Sequence, residues 1–190
     1  MTGRLADLGA LAAAWARDAK ANPLFMRALA GAGLVAALDQ ASKFWIVHIV
    51  NLPERFRPCA KSAGECRQIA LSPIFDLTYV ENRGASFGML AGGMGSRILL
   101  SAISLGVAAA LVVWLGRLAR PLSAAGVGLV VGGALGNLYD RIAYGFVVDF
   151  LDFTGLYFPW VFNVADAAIN VGVALLILDA VFEARTPASG

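Results

Sequence analysis

The stretch GGALGNLYDRIAYGFVVDFLDFTGLYFPWVFNVADAAI, residues 132–169, decides how this chain is organised. Two apolar helical segments flank it, one ending near Asp140 and one beginning near Asn163. Its polar and charged side chains include Asn137, Asp140, Arg141, Asp149, Asp152, Asn163 and Asp166. A charged side chain at a bilayer centre costs about 2.5–3.5 kcal/mol on insertion scales. Because acids near lipid are that costly, a functional site is the first interpretation of this stretch.

The composition indicates an all-α integral membrane protein. The chain has 190 residues, of which 59% are hydrophobic and 15% charged, whereas soluble domains carry about 25% charged residues. Several apolar runs approach the length that crosses a bilayer. The net charge of +2 is small and the basic residues are scattered, so the pattern excludes a nucleic-acid interface.

The apolar runs predict four transmembrane helices within one domain covering residues 1–190, at about residues 25–50, 96–118, 122–142 and 162–182. Residues 1–22 place apolar side chains at helical spacing, which predicts an amphipathic helix on the membrane surface, with a frayed tail as the alternative. Residues 51–93 are polar and glycine-rich around an extended segment at 74–80, so they predict a small extramembrane β-rich cap. We expect residues 143–161 to form a loop.

Four spans place both termini on the same side of the membrane. Basic residues before the first span favour cytoplasmic termini, since the first helix usually sets the orientation. The cap and the 143–161 loop then face outward. Cys59 and Cys66 lie in that cap, and their spacing fits either a disulfide or two separate thiols.

The ends of the third and fourth spans carry polar faces that should meet. Asn137, Asp140 and Arg141 lie three and four residues apart on the third span, and Asn163 and Asp166 are similarly spaced on the fourth. Both faces lie at the helix ends that the 143–161 loop joins. We therefore expect them to converge at one membrane surface.

Three other segments are expected to reach the same surface. Asp149 lies in the 143–161 loop, which can fold back toward the helix ends. Asp39 and Lys43 are four residues apart near the end of the first span, where they predict a buried ion pair, with a snorkelling lysine as the alternative. In the cap, Asn82 and Gly84 fit an amide and a close backbone approach at a ligand, or a plain turn.

Paired carboxylates are the chemistry that this site offers. No serine–histidine pair and no zinc ligand set accompanies the acids, so ordinary triads and most metal mechanisms are disfavoured. Two adjacent aspartates share a proton, so one can take a proton from water while the other protonates a carbonyl oxygen or a leaving amine. The same acids fit a proton relay in a transporter or a structural polar cluster. Spacing alone does not separate Asp149 from Asp152, and Arg141 is expected to pair with an aspartate.

The chain resembles the lipoprotein signal peptidases, also called signal peptidase II, a family of bacterial membrane aspartyl proteases. The matching pieces are LDQASKFWIV at 38–47, VENRGASFGML at 80–90, GGALGNLYDRIAYGFVVDFLDF at 132–153 and FNVADAAIN at 162–170. They occur in the order that the family shows. A GN-x-x-DR motif followed by V-x-DF and FN-x-AD is highly specific, although residues 1–22 lie outside the resemblance.

The resemblance implies that Asp149 and Asp166 are the catalytic pair, and it favours Asp149 over Asp152. It assigns the support of this pair to Asn137, Asp140, Arg141, Asn163, Asp39, Lys43, Asn82 and Gly84, with Ala85 and Phe87 in the same cap motif. It also implies a β-cradle at the periplasmic face of the inner membrane. The expected substrate is a prolipoprotein whose diacylglyceryl-modified cysteine follows the cleaved bond, and the expected inhibitor is globomycin. We expect a monomer in contact with membrane lipid, without a cofactor or a metal.

Overall fold

The computed structural model describes residues 2–58, 65–84 and 94–185. Its helices are α1 (Thr2–Ala21), α2 (Pro23–Phe44), α3 (Met94–Leu115), α4 (Pro121–Ala143) and α5 (Val164–Arg185). Its strands are β1 (Phe56–Pro58), β2 (Glu65–Ala70), β3 (Asp76–Asn82), β4 (Val147–Asp152) and β5 (Val161–Phe162). Helix α2 continues into a π-helical turn, Trp45–Ile49.

The four predicted spans are confirmed. Four helical segments of the described chain are long and apolar enough to cross a membrane: Pro23–Ile49, Met94–Leu115, Pro121–Ala143 and Val164–Ala184. The second span ends at Leu115, earlier than the predicted residue 118, because the chain turns before Pro121 opens the next helix. The chain is therefore a multi-pass membrane protein.

Helix α4 is the centre of the bundle, because it packs against α2, α3 and α5. Small residues make this close packing possible along its α2 side. A Cβ atom on Gly132 would lie 2.6 Å from the Ala32 carbonyl oxygen, and one on Gly136 would lie 2.6 Å from Asp39 Oδ2. Gly132 and Gly136 form a small-xxx-small pair, a pattern that permits close helix approach, and Gly128 extends it by one more turn.

The cap is a five-stranded antiparallel sheet in the order β1-β2-β3-β4-β5. The predicted strand at 74–80 is present as β3, shifted to residues 76–82. The prediction of a loop over residues 143–161 was wrong, because β4 and β5 come from that segment. Strand β4 lies between two neighbours and is almost wholly buried, and a strand buried on both faces lacks the alternating polarity that indicates a strand.

The two faces of β4 meet different parts of the molecule. Successive side chains of a strand point to opposite faces. Val148 and Phe150 pack with Ile46 and Leu52 in the segment that follows α2, whereas Asp149 points to the other face. The sheet therefore separates an apolar contact with α2 from the polar ends of α4 and α5.

Residues at the opposite end of the bundle connect α1 to the rest of the chain. The helix predicted for residues 1–22 is present as α1, and its position at the membrane surface stays a prediction. Trp15 Nε1 donates to the Val113 carbonyl oxygen, and Asn22 Nδ2 donates to the Leu118 carbonyl oxygen at 2.9 Å. Helix α1 and the residue that follows it are therefore fixed to the end of α3 and to the turn between α3 and α4.

The cap also contains the cysteines. Cys66 on β2 is disulfide-bonded, as the disulfide alternative predicts for this segment. Cys59 lies outside the described residues, and so do Ala85 and Phe87 of the cap motif.

The close approach of α4 and α2 leads to a stability prediction. We expect Gly132→Ala to destabilise the protein by about 1–3 kcal/mol, because the new methyl group overpacks the contact with α2. The measurement is the thermal unfolding midpoint in detergent. Gly106→Ala on α3 is the matched control, since a Cβ there meets nothing within 4 Å and alanine favours a helix by up to about 1 kcal/mol. Equal midpoints for the two variants would contradict the close packing.

Candidate active site

The Lys43 ammonium group lies at the centre of a buried polar network. Lys43 Nζ is 2.7 Å from Asp39 Oδ2, 2.8 Å from Asp140 Oδ2 and 3.2 Å from Asn137 Oδ1. The three N–H donors of an ammonium group thus each have an acceptor. The side chain of Lys43 is only 4% exposed and those of both aspartates are fully buried. The predicted ion pair is confirmed, and the snorkelling alternative is wrong.

Both aspartates extend this network to the elements that carry the candidate catalytic acids. Asp39 Oδ1 accepts a hydrogen bond of 2.9 Å from the Ala165 N–H in the first turn of α5. Asp140 Oδ2 accepts one of 3.0 Å from the Val148 N–H on β4. The first N–H groups of a helix have no partner within it, so Asp39 also satisfies a donor that would otherwise be buried without an acceptor.

Gln40 belongs to the same network, although the prediction omitted it. Its Nε2 atom donates to Asp140 Oδ1 at 2.8 Å and to the Gly136 carbonyl oxygen at 3.1 Å. The prediction grouped residues by the helical face that Asp39 and Lys43 share, which leaves out the residue next to Asp39. The available signal was a second polar side chain within an apolar span, directly beside an acid.

Asp166 is held at the start of α5 by a reciprocal capping arrangement. The Asp166 N–H donates to Asn163 Oδ1 at 2.9 Å, and the Asn163 N–H donates to Asp166 Oδ2 at 3.4 Å. Asn137 Nδ2 also donates to Asp166 Oδ1 at 2.8 Å. An acid three residues after the capping residue is the sequence signature of such a helix start, and the helix dipole stabilises negative charge there.

Asp149 is enclosed by two asparagine side chains. Asn163 Nδ2 lies 2.6 Å from Asp149 Oδ1, and Asn82 Nδ2 lies 2.9 Å from Asp149 Oδ2. The Gly84 N–H donates to Asn82 Oδ1 at 2.9 Å, and Gly84 has a φ of +78° that favours glycine. The plain turn predicted as an alternative is therefore present, and it directs the Asn82 amide at Asp149.

The surroundings of Asp149 favour its protonated form. Burial is the main cause and the neighbouring carboxylate of Asp166 is the second, and together they raise the pKa of Asp149 to about 7. Hydrogen bonds from Asn82 and Asn163 and the charge of Lys43 act in the opposite direction. Asp149 can therefore carry a proton near neutral pH, as one member of a proton-sharing pair must.

Asp152 is placed differently from the two candidate acids. Asp152 accepts hydrogen bonds from Thr78 Oγ1 at 2.6 Å and from the Thr154 N–H at 2.9 Å, within the sheet and its following turn. The alternation of side chains along β4 also directs it away from the face of Asp149. Its contacts fit a structural role.

The ion pair predicted for Arg141 is not formed within the part of the chain that the structure describes. Arg141 Nη1 instead donates to the Asn137 carbonyl oxygen at 3.4 Å. The physical reason is that asparagine amides already donate to the carboxyl groups of Asp149 and Asp166. The oxygen atoms of the adjacent Asp140 likewise accept from Lys43, Gln40 and the Val148 N–H.

A cleft of about 330 Å³ lies beside Asp166. Asn82 and Asp166 form part of its polar wall, and Phe158 and Trp160 contribute apolar surface. A ligand in this cleft reaches the Asp166 carboxyl group directly. In the described residues, no group of three histidine, cysteine, aspartate or glutamate side chains is arranged to hold a metal ion.

Fold and site together define a class: a multi-pass helical membrane protein with two acidic side chains where its bundle meets an antiparallel sheet. The model of the family described as signal peptidase (SPase) II matches residues 32–182. The chain belongs to this family, whose members are peptidases that cleave signal peptides from prolipoproteins.

Two curated relatives illustrate the similarity. The lipoprotein signal peptidase of Caulobacter vibrioides is 47% identical over 153 residues, covering 80% of this chain and 84% of that protein. The one from Methylocella silvestris is 40% identical over 171 residues, covering 89% and 93%. A solved bacterial membrane enzyme has a TM-score of 0.68 at 24% identity, over 86% of this chain and 93% of that one. This last similarity supports the fold.

The buried ion pair leads to a second stability prediction. We expect Lys43→Met to cost about 3–5 kcal/mol, because it leaves two buried carboxylates without their shared cation. Unfolding in a denaturing detergent titration measures the change. Lys20→Met on α1 is the control, since that lysine is exposed and the substitution should be nearly neutral. A loss for Lys43→Met as small as that of the control would contradict the role of this cation.

Proposed function

We propose that Asp149 and Asp166 are the catalytic pair of an aspartic endopeptidase that cleaves diacylglyceryl-modified prolipoproteins just before the lipidated cysteine. The observation that carries this proposal is that Asn163 bonds to both acids, through its side-chain amide to Asp149 and through its main-chain N–H to Asp166. One residue thus fixes both carboxyl groups, and burial raises the pKa of the Asp149 carboxyl to about 7.

The proposed reaction gives one proton-transfer role to each acid. Asp166, at a helix N-terminus that favours an anion, takes a proton from a water molecule as the water oxygen bonds to the peptide carbonyl carbon. Asp149 donates its proton to the carbonyl oxygen, which gives a neutral tetrahedral diol. When the diol collapses, Asp149 recovers that proton and Asp166 transfers its proton to the nitrogen. The C–N bond then breaks and releases an amine and a carboxyl product.

The other polar residues hold this pair in position. Asn82, Asn137 and Asn163 donate to the two acids directly, and Gly84 orients Asn82. Asp39, Lys43 and Asp140 act one step further away, by fixing the segments on which the acids lie. Arg141 supports the end of α4. The proton-relay alternative has less support, since four spans without an inverted repeat are unlike known carriers and the chain belongs to a peptidase family.

We further propose an inner-membrane protein with cytoplasmic termini and a site at the periplasmic face. The sheet, the end of α2 and the start of α5 lie together at the end of the bundle that carries the acids. The disulfide-bonded Cys66 in that sheet supports an oxidising compartment there. Because the acids and their donors all come from one chain, a monomer suffices, and globomycin should act at the same cleft.

Neutral substitutions test the assignment of the two acids. We expect Asp149→Asn and Asp166→Asn each to lower the cleavage rate by at least about 100-fold, because each removes one proton-transfer group. The measurement is the shortened product of a diacylglyceryl-modified precursor on a gel, with globomycin as a blocking control.

Asp152→Asn is the matched control within the same strand, and we expect it to retain most of the activity. Thermal unfolding of all three variants separates loss of chemistry from loss of fold. Full turnover by either Asp149→Asn or Asp166→Asn would remove that residue from the proposed pair, and an inactive but folded Asp152→Asn would move the assignment to Asp152.

The pKa of Asp149 gives a pH prediction. Asp149 must be protonated to donate to the carbonyl oxygen, so the rate should fall as the pH rises through about 7. Asn82→Ala removes a hydrogen bond that lowers this pKa, so its descending limb should move to higher pH. Rates over pH 5–9 measure both curves. An Asn82→Ala curve displaced to lower pH would contradict the proton-donor role of Asp149.

A further inference from the structure

A second cavity lies against the sheet face that points away from Asp149. Its volume is about 470 Å³, and its walls come from the ends of α2 and α4 and from Tyr79, Phe146 and Val148. Neither Asp149 nor Asp166 lines it, because consecutive residues of β4 point to opposite faces. Its size falls within the roughly 300–1,000 Å³ of small-molecule sites. It is therefore separate from the cleft at Asp166.

The walls of this groove are apolar and open toward the membrane. Phe44 and Val47 of the first span face Tyr139 and Tyr144 at the end of the third. Phe44 is 58% exposed and both tyrosines are 53% exposed, so the groove is continuous with the lipid-facing surface between two spanning helices. The π-helical turn at 45–49, which contributes Val47 and His48, is a local distortion often found at functional sites.

Positive charges lie along the outward rim of the groove. The Arg67 guanidinium is 5.5 Å from the centre of the Tyr79 ring, and that of Arg83 is 5.5 Å from the centre of the Phe146 ring. Both rings line the groove. Arg97 donates to the Ile142 carbonyl oxygen, two residues before the lining residue Tyr144.

One acid, Glu81, offsets part of this positive charge. It lies 2.7 Å from Arg83 and 3.9 Å from Arg67. Among the described residues, Arg67, Arg83 and Arg97 place guanidinium groups along this rim, and Glu81 contacts the first two of them. Guanidinium groups bind phosphate through paired N–H donors.

We infer that this groove binds one acyl chain of an anionic membrane phospholipid, with the lipid phosphate at the arginine rim. The apolar floor lies at the ends of the spanning helices and the charges lie on the sheet side, which matches the order of chain and headgroup in a phospholipid. A bound chain also covers Lys43 and Gln40, which line the groove, and so shields the buried ion pair from water. This inference does not depend on the assignment of the catalytic acids.

Photolabelling of the full-length protein in nanodiscs tests the site. The probe is phosphatidylglycerol with a diazirine in one acyl chain, diluted into phosphatidylethanolamine, and peptide mapping locates the labels. We expect labels at Phe44, Tyr139 and Tyr144 in clear excess over lipid-facing residues of α3. Even labelling of α2, α3 and α4 would overturn the inference, because it would show surrounding lipid only.

Groove-filling variants sharpen the test. Val47→Phe should lower groove labelling about tenfold, which corresponds to about 1.4 kcal/mol of binding free energy. Ile103→Phe adds the same ring to an exposed position on α3 and should leave groove labelling unchanged. Phe44→Ala removes a wall without adding bulk and should also reduce labelling, which covers the case in which Val47→Phe does not fold. Unchanged labelling in the folded variants would overturn the site.

The headgroup is tested with a second probe. Phosphatidylcholine with the same diazirine-bearing chain should label the groove less than phosphatidylglycerol at low salt, and the difference should shrink at high salt because screening weakens exposed charges. Equal labelling by the two probes at low salt would overturn the role of the arginine rim.

Discussion

A buried cation fixes the segments that carry the proposed catalytic acids. The ammonium group of Lys43 lies between the carboxylates of Asp39 and Asp140, where all three side chains are almost entirely removed from solvent. Asp39 accepts a hydrogen bond from the Ala165 N–H through its other oxygen. Asp140 accepts one from the Val148 N–H through the same oxygen that contacts Lys43. Those two N–H groups belong to the segments that carry Asp166 and Asp149. The position of the proposed catalytic pair therefore depends on an ion pair that itself touches neither acid.

The three asparagines around the acids show how orientation is transmitted. An asparagine amide has an accepting end and a donating end, and here a donor occupies each accepting oxygen. Lys43 donates to Asn137, the Asp166 N–H donates to Asn163, and the Gly84 N–H donates to Asn82. With their oxygen atoms occupied, all three NH₂ groups point at a carboxyl group. The carboxyl groups thus receive only donors, which fixes their positions and limits the rise in the pKa of Asp149.

The sequence was sufficient to predict those features of the fold and the site that depend on local spacing. The spans follow from apolar length, and the Asp39–Lys43 pair follows from a four-residue spacing. The convergence of the Asn137 face with the Asp166 face follows from spacings of three and four at helix ends that one segment joins. Strand β4 was missed because a buried strand carries no alternating pattern, and β5 was missed because it has only two residues. Without β4, the sequence could not separate Asp149 from Asp152 by strand face. The role of Gln40 and the bond from Arg141 to a main-chain oxygen depend on which acceptor oxygen atoms other donors already occupy. Only the three-dimensional structure shows that.

The far end of the bundle indicates how this site can admit a long peptide. There Arg120 lies 2.9 Å from the buried Asp179 and 2.6 Å from Glu183, and Ser123 also donates to Asp179. Ionic contacts thus join α4 to α5 at this end, and the hydrogen bond from Asn137 to Asp166 joins them at the other end. Between the two ends, Gly126 and Gly172 allow the helices to pack closely. Separating them would break both polar clusters at once. A substrate should therefore reach the acids along the open cleft at Phe158 and Trp160, with the α4–α5 pair acting as a fixed wall.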